Sequence, residues 1–238
     1  MNNLVRVMVS LMVLLLSSTL WADEQRILFV NGTHSSKAKL TLLTEFAKQR
    51  GMLIDLKAQR DLGDLKMAAG VFAPYDLVIM EAISVRESKK IYAQYASVIA
   101  QSTARFIAIN WLEAAELTKG ISSQQAQNLS DYYSNGGREN LSRMADYLQQ
   151  RVFSNNAHHV AAPIIYPPLG IYHPDYEGLI FPTLEQYLQW RQVEVSAKPM
   201  VGVMLQRTSI ESVETQLIDE TIRQLEQQGL IAVPFFFE

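Results

Sequence analysis

Apolar side chains in the first half of the chain fall into four short runs: Arg26 to Val30 (RILFV), Met52 to Leu56, Asp76 to Met80 (DLVIM) and Arg105 to Asn110 (RFIAIN). Between them the spacing becomes helical. From Ser35 to Arg50 the apolar positions Ala38, Leu42, Leu43, Phe46 and Ala47 share one helical face, and Val85 to Ala100 repeats the pattern. Strands that are apolar on both faces and alternate with helices predict a parallel sheet covered on both sides. Right-handed crossovers then make the fold class α/β, a doubly wound parallel sheet domain.

The pattern changes in the second half. Ser122 to Phe153 is helical in spacing, rich in Gln, Asn, Leu and Tyr, and interrupted at Asn135-Gly136-Gly137. Two adjacent glycines in a helix interior cost about 1 kcal/mol each relative to alanine, so a break or a cap is predicted there. Pro163 to Pro182 holds five prolines and no clear period, and leads into a short helix from Thr183 to Arg191, capped by Thr183. Met200 to Leu205 (MVGVML), a helix from about Ile210 to Gln228 and a strand from Leu230 to Phe236 predict the start of a second α/β domain. Three phenylalanines, Phe235 to Phe237, stand on that last strand with no helix after them to cover it. The second domain is therefore expected to be incomplete. The expected organisation is 1–22, 23–162 (the amino-terminal α/β domain), 163–199 (a connector with a short helix) and 200–238.

Residues 1–22 stand apart. Arg6 is followed by the apolar run Val7 to Leu16 and by Ser17 to Ala22, the pattern of a secretory signal peptide cleaved after Ala22. Its apolar core is too short to span a bilayer of roughly 30 Å, although an uncleaved amphiphilic anchor is the alternative. The chain is expected in a bacterial periplasm or secreted. It contains no cysteine, which excludes thiolate metal sites, iron–sulfur clusters, disulfides and cysteine nucleophiles. The formal net charge of −3 becomes −4 without Arg6, and no long run of Lys or Arg follows. Nucleic acid is not an expected partner.

Polar residues collect where the predicted strands end. Asn31-Gly32-Thr33-His34-Ser35-Ser36 joins the first strand to the first helix, a place where an anion or a polar ligand edge can meet free N–H groups. It is neither a dinucleotide fingerprint nor a Walker A loop. The plain alternative is that Ser35 or Ser36 caps the helix while Thr33 and His34 shape the turn. Glu81 follows the third strand, and Asn110 with Trp111 follows the fourth, on the same carboxyl edge as His34. They can line a pocket, or mark only where the chain turns polar. A generic α/β enzyme taking a nucleotide or a sugar phosphate at that edge is the broadest reading. His158-His159 lies in a polar loop and reads as solvated surface, no metal-ligand spacing appears, and no catalytic residue is recognisable.

Gly170-Ile171-Tyr172-His173-Pro174-Asp175 is the most unusual stretch. Pro174 biases His173 to an extended conformation, and Gly170 permits close approach by another segment. A fixed imidazole there suits a ligand contact, an axial metal contact, or a hydrogen bond bracing the connector against a neighbouring domain.

Three segments carry a family resemblance. Tyr133-Ser134-Asn135-Gly136-Gly137-Arg138-Glu139-Asn140-Leu141, followed by Met144, Tyr147 and Leu148, resembles the helix break of the CobN-type large subunit of cobaltochelatase, related to the large subunit of magnesium chelatase. Pro167 to Pro174 with Tyr187-Leu188-Gln189-Trp190, and Lys198-Pro199-Met200-Val201-Gly202 through Arg207, are similar to the segments that follow in that family. The resemblance implies a protein that handles a tetrapyrrole, with cobalt, magnesium or iron as the metal of its substrate, and no bound cofactor for this chain alone. It implies as partners the remaining part of the large subunit, or a split partner, and an ATPase motor. The signal peptide shifts the expectation toward exported relatives serving haem or metal-tetrapyrrole uptake at a membrane, because the periplasm holds no ATP.

The expected function is accordingly the amino-terminal portion of an exported CobN-like tetrapyrrole metal chelatase or dechelatase, its catalytic part outside this chain. The alternative is a non-catalytic periplasmic adaptor that binds a tetrapyrrole or a metal. Candidate ligand-binding residues are His173, Tyr172, His34, Glu81, Asn110 and Arg207, with His173 expected to face the cleft between the domains.

Overall fold

A computed structural model describes residues 24–237 except 33–34, 64, 83–84, 111–117, 155–158 and 194–197. The signal segment, His34, Trp111 and His158 lie outside the described residues, as does the side chain of Asn110.

The first sheet has the order β2-β1-β3-β4-β5, with β1 Gln25–Asn31, β2 Met52–Ala58, β3 Leu77–Ala82 and β4 Arg105–Asn110 all parallel. The two-residue strand β5, Thr118–Lys119, adds antiparallel to β4. All six residues of β3 are buried, which is why Leu77 to Met80 read as continuously apolar, and Glu81 is the one charged side chain among them. Side chains alternate between faces: Ile27 and Phe29 enter one core, Leu28 and Val30 the other. Helices α1 Lys37–Gln49, α4 Ser123–Asn135 and α5 Gly137–Tyr147 cover the first face, and α2 Leu65–Phe72 with α3 Val85–Gln101 the second. Ser36 caps α1 by accepting from the Lys39 amide, and Ser122 with Gln125 forms a capping box on α4. The fold class is as the hydrophobic pattern predicts.

One helix of this domain escapes that pattern. A 3-10 turn at Gln59–Leu62 precedes α2, whose sequence LKMAAGVF is rich in small residues and, at eight residues, too short to establish a helical period.

The segment 163–199 contributes more than a connecting helix. It holds β6 Leu169–Tyr172, β7 Ile180–Phe181 and α6 Leu184–Arg191, the last capped by Thr183. With β8 Met200–Met204 and β9 Ile231–Phe237 these strands form a second sheet of order β7-β6-β9-β8. It is mixed, since β8 and β9 are parallel while β6 runs antiparallel to β9 and β7. Gly170 is required there: an added Cβ would stand 2.6 Å from Ile180 Cγ2 and 2.8 Å from Phe236 Cζ.

Two expectations for the second unit are corrected. The predicted helix from Ile210 to Gln228 is broken into α7 Arg207–Glu211 and α8 Gln216–Gln227. At the break, Val213 takes a left-handed φ of 61° and packs against the core of the first domain. The last strand is not bare either. β9 is an interior strand, and Phe236 is fully buried with Tyr166, Tyr172, Ile210 and Ile222, while Phe237 is 62% exposed.

Candidate functional site

The sheet's carboxyl edge gathers its polar groups around Glu81, which is 5% exposed. Tyr133 of α4 donates from its hydroxyl to Glu81 Oε1 at 2.7 Å, and the Gly32 amide donates to Oε2 at 3.4 Å. Burial, and then the neighbouring Glu81, push the Tyr133 hydroxyl well above the usual tyrosine range, so it stays a donor. Lys39, 4% exposed, lays its ammonium over the Tyr133 ring, 4.1 Å from the centroid. Burial pushes it down to about 8 against the opposing pull of Glu81 and Glu211.

Beside this cluster opens a cavity of about 580 Å³. Asn31, Gly32 and Ser35 line it from the loop after β1, Ala58, Gln59, Arg60 and Gly63 from the end of β2, and Gln94 and Tyr95 from α3. Leu62, fully buried, anchors the 3-10 turn that presents Gln59 and Arg60. The cavity lies where the chain reverses direction across the sheet: β1 leads to β2 on one side and has β3 on the other. Open α/β sheets bind ligands at such switch points.

The junction with the second unit forms at the glycine pair. Gly136 ends α4 with φ 54°, and a Cβ on it would meet the Glu211 carbonyl oxygen at 2.0 Å. Gly137 has φ 71° and lies against the hydroxyl of Tyr166, 2.4 Å from where its Cβ would be. Ser36 Oγ stands 2.9 Å from the Ser212 carbonyl and 2.8 Å from Glu214 Oε1. Asn140, fully buried, closes a pair of hydrogen bonds with the backbone of Ile164. Arg207 pairs with Glu211 at 2.7 Å, so this candidate belongs to the junction.

His173 lies elsewhere. It is fully buried inside the second unit and does not face a cleft. Its Nδ1 accepts from the Asp175 amide at 3.2 Å, and its Nε2 lies 3.2 Å from Glu226 Oε1 and 3.3 Å from Arg191 Nη1. Arg191 meets the same carboxylate oxygen at 2.6 Å, and the rings of Tyr187 and Trp190 flank the imidazole. Both ring nitrogens are thus engaged within the chain. Of the three roles open to it, the geometry is that of a brace, joining the loop after β6 to α6 and α8. Tyr172 is likewise buried, its hydroxyl donating to Asp219 at 2.8 Å.

The structure therefore brings Glu81 to the carboxyl edge, where Lys39 feels both Glu81 and the Glu211 that pairs with Arg207, and it buries His173 and Tyr172 inside the second unit; Asn110 ends β4 in register with Ala82 on that edge. Lys39, Tyr133 and the amides of Gln59 and Gln94 were missed by sequence reasoning. Lys39 had a signal: it precedes Leu42, Leu43 and Phe46 at helical spacing and so stands on the apolar stripe of α1. Among the described residues no three His, Asp or Glu side chains gather to hold a metal ion, and no helix is long and apolar enough to cross a membrane.

Fold and junction define a two-unit α/β protein, a doubly wound domain joined at a Gly-Gly helix break to a mixed-sheet unit. Residues 130–238 match the CobN/Magnesium Chelatase family model. The H-type large subunit of magnesium chelatase from Rhodobacter capsulatus is 32% identical over 110 residues, 44% of this chain and 9% of the relative. Its counterpart in Cereibacter sphaeroides is 32% identical over 108 residues with the same shares. The match thus spans less than a tenth of the length of these relatives. The catalytic subunit of cobaltochelatase from Mycobacterium tuberculosis superposes with a TM-score of 0.54 at 15% identity, over 90% of this chain and 16% of that one. At that identity the likeness is one of fold.

Proposed function

We propose that this chain is a portion of an exported CobN-like chelatase or dechelatase, in which it helps to hold a tetrapyrrole whose metal, cobalt, magnesium or iron, is substrate. The observation that carries this reading is the family match over residues 130–238. Within it, the residues that resemble the family are those that build the second unit and fasten it to the first: Gly136, Gly137, Asn140, Gly170 and His173. The related proteins are named as magnesium-chelatase subunits and a cobaltochelatase subunit, so tetrapyrrole chemistry is the common ground. The rest of the large subunit, or a split partner, supplies the catalytic groups, and the apolar run ahead of Ala22 supports export to the periplasm.

The test is spectroscopic. The chain purified from a periplasmic fraction is titrated with haem and with a metal-free porphyrin while the Soret band is followed, and its first residue is determined. Saturable shifts with Asp23 at the amino terminus support the reading. Saturable binding of haem by this chain with no gain or loss of metal when the rest of the subunit is added supports the adaptor instead. No spectral change with either ligand, with the chain alone or completed, overturns both.

A further inference from the structure

The cavity at the ends of β1 and β2 has a lining unlike that of a tetrapyrrole site. A macrocycle needs broad apolar walls; here the side chains of Asn31, Gln59 and Gln94 supply three amides, with Ser35 and Tyr95 adding hydroxyls. Asn31 and Gln94 each spend one amide N–H on the Gly32 carbonyl and the Tyr95 hydroxyl, which leaves each amide a second N–H and its oxygen, a donor and an acceptor that can complement the amide-type edge of a nucleobase. No acidic side chain is among the described lining residues, and Arg60, largely exposed at the rim, is its cation, with the exposed Asp61 carboxylate 3.7 Å from its Nε as a loose surface pair that a phosphate would have to displace. A volume of about 580 Å³ lies within the roughly 300–1,000 Å³ of small-molecule sites.

The loop that forms one wall is also held in place. Gly32 lines the cavity and donates its amide to Glu81, which in turn accepts from Tyr133 of the family segment. Ser35 donates to the Gly32 carbonyl at 3.1 Å and closes the turn. Gln94 donates to the Tyr95 hydroxyl at 3.2 Å, which orients its amide oxygen. The wall is therefore built before any ligand arrives, which lowers the cost of ordering it on binding.

The geometry points to a second ligand site here, one that takes a nucleoside monophosphate, its base edge against the amides of Asn31, Gln59 and Gln94 and its phosphate against Arg60. This goes beyond the tetrapyrrole reading and does not depend on it, since the titrations report on different ligands.

Calorimetry on the purified chain tests it, with AMP, GMP, CMP and UMP as probes and adenosine, inorganic phosphate and ribose 5-phosphate as controls. At least one mononucleotide is expected to bind with a Kd of about 1 mM or tighter, and each control at least about tenfold more weakly. Arg60 and Gln94 are exposed, so Arg60→Ala and Gln94→Leu keep the melting temperature, and each is expected to weaken the mononucleotide about tenfold. No heat with any mononucleotide at about 5 mM overturns the proposal. So does unchanged affinity in both variants, or ribose 5-phosphate binding as tightly as the best nucleotide.

Discussion

The hydroxyl of Tyr133 donates to Glu81 across 52 residues of sequence, and the bond is buried. It ties a helix of the family segment to the end of the third strand, and through the Gly32 amide to the loop that opens the cavity. Removing the donor leaves a buried carboxyl oxygen without that partner. A hydrogen bond to a charged group is worth about 1.5–3 kcal/mol, so Tyr133→Phe should lower stability by that much in urea unfolding. A change below about 0.5 kcal/mol, the range of an ordinary surface substitution, would count against the role given to this contact.

His173 offers a sharper contrast. Its ring fills a buried space between Tyr187 and Trp190 and hydrogen-bonds to Asp175 and Glu226. His173→Ala removes packing and leaves the Glu226 carboxylate to Arg191 alone, at an expected cost of about 3 kcal/mol. His159 is exposed, and His159→Ala should change stability by less than about 0.5 kcal/mol. Haem affinity of the folded His173 variant should equal that of the parent chain. Lost affinity at unchanged stability would make the ring a ligand after all.

Lys39 makes a prediction in pH. Burial holds its folded pKa at about 8, below the ordinary 10.5, so between these values the unfolded chain binds a proton that the folded chain does not. Unfolding free energy therefore rises with pH across that window and falls as pH drops through about 8. The full span is on the order of 3 kcal/mol, most of it gained between pH 8 and 10. Above pH 10 the buried tyrosines act the other way: Tyr132, Tyr166 and Tyr187 are raised to about 12 by burial, and stability is lost as the unfolded phenols ionise. Lys39→Met should flatten the rise between pH 8 and 10 and be more stable than the parent at pH 7.5. Parallel pH profiles for the two proteins in urea unfolding would refute the assignment.

The elements of the first domain follow from local pattern. A strand buried on both faces must be apolar throughout, as Leu77 to Met80 is, and a helix covering it must be apolar every three or four residues, as Leu42, Leu43 and Phe46 are. The break at Gly136 and Gly137 was legible for the same reason, because two residues without Cβ interrupt a helix whatever lies beyond it. Why both are glycine was not legible: the Glu211 carbonyl and the Tyr166 hydroxyl, which exclude a Cβ, arrive from later segments. β6 is four residues among prolines, LGIY, and becomes a strand because β7 on one side and, more than sixty residues later, β9 on the other supply its hydrogen bonds. The helix break at Ser212 is set by Ser36 and by the core that receives Val213. The candidate site divides in the same way. Periodicity is local, so the sequence by itself determined that Glu81 ends a strand and that His173 sits in a stiffened loop. Only the tertiary structure decided their partners, because burial in a shared interior makes Tyr133 the donor to Glu81 and turns His173 inward to Glu226, and no local pattern records what a fold will bring from more than fifty residues away.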